Sequence, residues 1–89
     1  MRTLLPSALI VVALAAGCNT VTLAPGAAQV KISKNAADVA ACTAVGNAPS
    51  GQNMPDDLRN FAIGLGGNTI FVTRENLNII LDAVIYRCP

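Results

Sequence analysis

Three cysteines, Cys18, Cys42 and Cys88, and a complete lack of histidine set the chemistry open to this sequence. Without imidazole, the usual acid–base group near neutral pH and the commonest metal ligand are both missing. No Cys-x-x-Cys occurs, so a thioredoxin-like dithiol is not expected. Asp56 and Asp57 are adjacent carboxylates, but neighbouring helical positions point about 100° apart. They suit the positive end of a helix dipole better than a shared proton. Gly64-Leu65-Gly66-Gly67-Asn68 is glycine-rich but follows a predicted helix rather than opening one, which is the wrong order for a phosphate cradle. Asn60 and Asn68 are expected to bond backbone, with ligand contact as the alternative. Catalysis, a metal and a cofactor are therefore not expected.

The first residues look like an address. Arg2 is followed by an almost wholly apolar stretch over 4–16 that ends in small residues, the layout of a secretory signal. A retained membrane anchor is the alternative, but a spanning helix needs about 20 apolar residues. The exit Leu14-Ala15-Ala16-Gly17-Cys18 resembles a lipobox. That resemblance implies cleavage between Gly17 and Cys18 and a diacylglycerol thioether on Cys18. A competing cut after Ala13-Leu14-Ala15 would release a soluble protein. An odd cysteine count in an exported chain leaves one thiol to explain. Lipid on Cys18 explains it and leaves Cys42 and Cys88 as one disulfide pair, which suits an oxidising compartment. Without Arg2 the acidic and basic side chains balance, so nucleic acid is not an expected partner.

The elements that must position these residues follow from pattern. Residues 18–28, with the Pro25-Gly26 turn signal, read as a lipidated tether. Its ten residues 19–28 would reach about 35 Å when extended. Residues 29–33 alternate as a half-buried strand, with a turn at Asn35 and a second strand over 38–46. A loop over 47–53 leads to a helix capped by Asn53, with Pro55 in its first turn. Leu58, Phe61, Ala62 and Leu65 fall on one helical face, and Gly66-Gly67 stops the helix. Residues 69–73 make a third strand, 75–78 a turn and 79–88 a fourth strand. The result is an α+β class, ββαββ, with one helix on a small, mostly antiparallel sheet and a single disulfide. A domain this small usually needs such a staple.

Four short segments carry a family resemblance: Cys42-Thr43-Ala44-Val45-Gly46, Leu58-Arg59-Asn60-Phe61-Ala62, Leu65-Gly66-Gly67-Asn68-Thr69-Ile70 and Ala83-Val84-Ile85-Tyr86-Arg87-Cys88-Pro89. The chain resembles, over residues 20–89, a bacterial lipoprotein family with an uncharacterised domain related to the RcsF envelope-stress sensor. The resemblance implies Cys42–Cys88 as the bridging pair, and Asn60, Gly66, Gly67 and Asn68 as a helix-to-strand corner. RcsF-type sensors have two disulfides and a long proline-rich tether, whereas this chain has one available pair and a short tether. The expected organisation is a signal peptide over 1–17, a tether over 18–28 and an RcsF-like domain over 29–89. The expected place is the outer membrane, facing the periplasm, since Asn19 is not the retention aspartate of the enterobacterial sorting rule. The expected partners are the membrane, through the lipid, and an envelope protein. A structural or surface lipoprotein without a dedicated partner is the alternative, and a small lysis-type lipoprotein is a more remote one.

Overall fold

The computed structural model of the protein describes residues 21–89. The expected signal segment over 1–17, and the cleavage and lipidation expected at Gly17 and Cys18, lie outside the described residues. Four strands form one mixed sheet: β1 (Lys31–Ser33), β2 (Thr43–Asn47), β3 (Thr69–Asn76) and β4 (Ile79–Arg87), in the order β1-β3-β4-β2. β1 runs parallel to β3, while the β3–β4 and β2–β4 pairs are antiparallel. One helix, α1 (Pro55–Gly64), packs on the sheet. The fold is α+β with the ββαββ order and a Cys42–Cys88 disulfide.

The period of two in the strands decides which side chains meet the helix. Ile32, Ile70 and Ile85 stand opposite one another across three strands, and Val72 stands opposite Ala83. Together with Leu58 and Ala62 of α1 they form the core. Leu58, Ile70 and Ile85 are the largest fully buried side chains, and each such burial contributes about 1.5–3 kcal/mol. Phe71, Val84 and Tyr86 alternate to the other face and are half-buried. A 3-10 turn, Ala36–Val39, contacts β3 and buries Val39.

Several boundaries differ from expectation. The segment expected as a strand over 38–46 divides into that 3-10 turn and a strand displaced to Thr43–Asn47. Asn35 accepts a hydrogen bond from the Ala37 amide, which caps the turn and takes this backbone out of extended geometry. Asn53 does not cap α1. Its side-chain amide donates to the carbonyls of Pro49 and Ile80, and its backbone pairs with Ile80. Met54 occupies the N-cap without a side-chain bond. Phe61 and Leu65 are each 37% exposed, because of the four residues on that stripe only Leu58 and Ala62 are buried in the core. β3 runs on through Glu75 to Asn76, so the hairpin loop shrinks to Leu77-Asn78. Leu77 sits there at φ 57°, 88% exposed.

The boundary of the folded part also moves. Residues 22–30 are not a free tether but lie along α1. Ala27 is fully buried, Val30 nearly so, and a second 3-10 turn spans Ala27–Gln29. Gly26, at φ 85°, brings the backbone close to the Ile63 side chain.

Candidate functional site

Two polar clusters hold this small core together, and both are built on asparagine. The first closes the end of the molecule that carries the disulfide. The helix finishes as a Schellman motif: the Gly67 amide donates to the Ala62 carbonyl at 2.9 Å and the Gly66 amide to Ile63 at 3.0 Å. Gly66 has φ 77°, the left-handed geometry that this closure needs. Gly67 is required for space instead. A Cβ there would lie 2.5 Å from Ile85 Cγ2 and 3.1 Å from the Tyr86 carbonyl.

Asn68 follows, and its amide behaves as an extra peptide group. Its Oδ1 accepts from the Cys88 amide at 2.8 Å, and its Nδ2 donates to the Cys88 carbonyl at 2.9 Å. Its backbone amide donates to Tyr86, and its carbonyl accepts from Lys31. One residue thus ties together the start of β1, the start of β3 and the end of β4. Cys88 is thereby held where Cys42, just before β2, meets it, with 4.3 Å between the Cα atoms. Gly66, Gly67, Asn68, Cys42 and Cys88 are therefore brought together.

Asn60 is not part of this corner. It lies on α1 before the Schellman turn and faces the N-terminal segment. Its Oδ1 accepts from the Ala24 amide at 2.7 Å, and its Nδ2 donates to the Thr22 carbonyl at 2.9 Å. Arg59 extends the clamp by donating from Nε to the Val30 carbonyl at 3.2 Å while pairing with Asp56 at 2.9 Å.

Protein-family models, curated proteins and solved structures show no match to this chain. Among the described residues no group of three or more Cys, Asp, Glu or His side chains could hold a metal ion. No helix among them is long and apolar enough to cross a membrane.

A further polar cluster escaped the sequence pattern. The Ser33 hydroxyl donates to Asp38 at 2.6 Å, with Lys31 3.5 Å from the same carboxylate oxygen. The hydroxyl first, and then the Lys31 charge, hold the Asp38 carboxyl below its ordinary value. Lys34 pairs with Glu75 beside it, and Arg74 with Asp82 on the hairpin at 2.6 Å. Ser33, Asn35 and Asp38 at alternating and short spacings are the signal that could have revealed this turn. These pairs are largely exposed, and exposed ion pairs contribute little stability.

Proposed function

We propose that the chain is a lipid-anchored envelope lipoprotein, related to the RcsF-type sensors, whose folded part is a protein-interaction or envelope-stress-sensing module and not an enzyme. The observation that carries this is the Cys42–Cys88 bond. It uses two of three cysteines and leaves the third, Cys18, directly after the small-residue exit of an apolar leader. A secreted chain that pairs two cysteines and keeps one has a use for the last thiol, and thioether lipidation is that use. The disulfide also suits an oxidising compartment such as the periplasm.

The interaction role is supported by the sheet. Its edges are poor templates for an added strand, since β1 has three residues and β2 carries a register shift between Ala44 and Gly46. The face turned away from α1 is better suited. There Phe71, Val84 and Tyr86 form a half-buried apolar row, with Ala44 exposed beside Tyr86. The Ala36–Val39 turn, tied to Ser33 opposite Phe71, lies at one end of this face, and the half-exposed aromatic side chains beside it are typical anchors of protein contacts.

The test combines intact mass with crosslinking. Membrane-extracted protein should have the mass of residues 18–89 plus acyl chains, and should be alkylated only after reduction. A photo-crosslinking residue in place of Phe71 should then capture one discrete envelope protein. An unlipidated mass with a freely alkylated thiol defeats the anchor. A lipidated protein that captures nothing is a structural lipoprotein instead.

A further inference from the structure

The geometry points to a membrane-apposed face on this domain: the outer side of α1, centred on Phe61 and Gly64, lies against the lipid surface. The inference rests on Cys18 carrying the lipid, and it concerns which way the domain faces.

The length of free chain carries the argument. Asn60 binds both the Thr22 carbonyl and the Ala24 amide, and Ala27 and Val30 are buried farther along. The chain is therefore fixed to the fold from Thr22 onward. From Cys18 to Thr22 the backbone spans at most about 14 Å, against about 35 Å for a tether free to residue 28. The lipid-bearing atom sits at the bilayer interface, so the point of attachment must sit within that short reach of it. That point is on α1, on the helix side of the sheet. A helix is about 10 Å across with its side chains, and the sheet lies behind it. Facing the sheet to the membrane would require the short link to pass around the whole domain, which it cannot do.

The composition of that side agrees. Asp57, Phe61 and Gly64 are exposed on α1, Phe61 on the flank of the stripe that buries Leu58 and Ala62, and Asp57 and Gly64 farther round from it. Asp57 is the one charged residue of the helix outside the Arg59–Asp56 pair. No charge occurs over residues 60–73 or over 19–30. The other ion pairs belong to β1, its following turn and the β3–β4 hairpin. An aromatic ring and a helix surface whose one unpaired charge is Asp57, beside an uncharged strap, dock at a headgroup layer with only that carboxylate to keep hydrated.

The test uses the absence of tryptophan from the chain. Full-length, membrane-processed protein carrying Phe61→Trp, Gly64→Trp or Leu77→Trp is reconstituted into phosphatidylcholine vesicles containing nitroxide-headgroup lipid. Gly64→Trp guards against misfolding of the first variant, because a Cβ at Gly64 meets nothing within 4 Å. Leu77→Trp reports from the exposed hairpin tip. Emission from positions 61 and 64 should be quenched about twofold or more relative to position 77, since interfacial docking brings side chains to headgroup depth. Intact mass is recorded on the same samples. Lipidated protein with equal quenching at all three positions overturns the orientation and leaves the anchor standing. Protein without lipid overturns the anchor and the orientation together.

Discussion

Opening the Cys42–Cys88 bond releases a loop of 46 positions in the unfolded chain. For a loop of that length, the chain-entropy relation gives a stabilisation of about 4 kcal/mol at 25 °C. A domain of this size has a total stability of roughly 5–10 kcal/mol, so the bond decides whether the fold is secure or marginal. The folded state itself should change little. Cys88 keeps both of its hydrogen bonds to the Asn68 amide, and Thr43 stays opposite Arg87. The loss therefore acts through the unfolded ensemble, which becomes more extended. The assay is urea unfolding by circular dichroism of the processed chain, comparing the native protein with Cys42→Ala/Cys88→Ala. The variant should keep its native spectrum in buffer, melt about 15–30 °C lower and show a slightly larger m-value. An unchanged midpoint would refute the loop argument. A variant with no native spectrum at all would show that the bond holds the folded state directly.

Three further outcomes follow from named contacts. Gly67→Ala should cost about 1–3 kcal/mol, because its methyl group overlaps Ile85 and the Tyr86 carbonyl; Gly64→Ala, in open space, should add about 0.5–1 kcal/mol. Both are read as urea midpoints, and equal effects would falsify the steric account. Asn60→Ala removes both bonds to the N-terminal segment, so the Ala24 amide should lose its hydrogen-exchange protection while β4 amides keep theirs. Asp38 has a lowered folded pKa, so its contribution is present above the ordinary value of 3.8 and is lost as pH falls through the lowered one. Asp38→Asn should flatten that acid limb of the stability curve, and a limb identical to the native one would remove Asp38 as its source.

The helix was legible because its stop and its first turn are both written in residue types: Pro55, Asp56 and Asp57 at one end, Gly66-Gly67 at the other. Its burial was only half legible. Periodicity marks a stripe, but a single small sheet covers only its centre, so Phe61 and Leu65 fall on its flanks. The disulfide followed from cysteine arithmetic. The parallel pairing of β1 with β3 did not, because register between distant strands is set by tertiary packing that no local pattern records. The turn at Ala36–Val39 was hidden for a different reason: alanine is apolar enough to suggest a strand, and a capping Asn35 redirects it. Asn60 was legible as a residue that bonds backbone. Its target, thirty-six and thirty-eight positions away, was not.

The order of the strands in the sheet has a consequence for how the chain is made. β1 and β2 leave the ribosome first, yet they are the two outer strands and do not touch each other. The central pair, β3 and β4, comes last. A partly synthesised chain therefore holds two edges and no sheet, and its early strands have nothing to join until the late hairpin exists. The sheet is complete only once the β3–β4 hairpin can take β1 on one side and β2 on the other. Until that moment the backbone edges of β1 and β2 are unpaired, open to proteases and to association with their own kind.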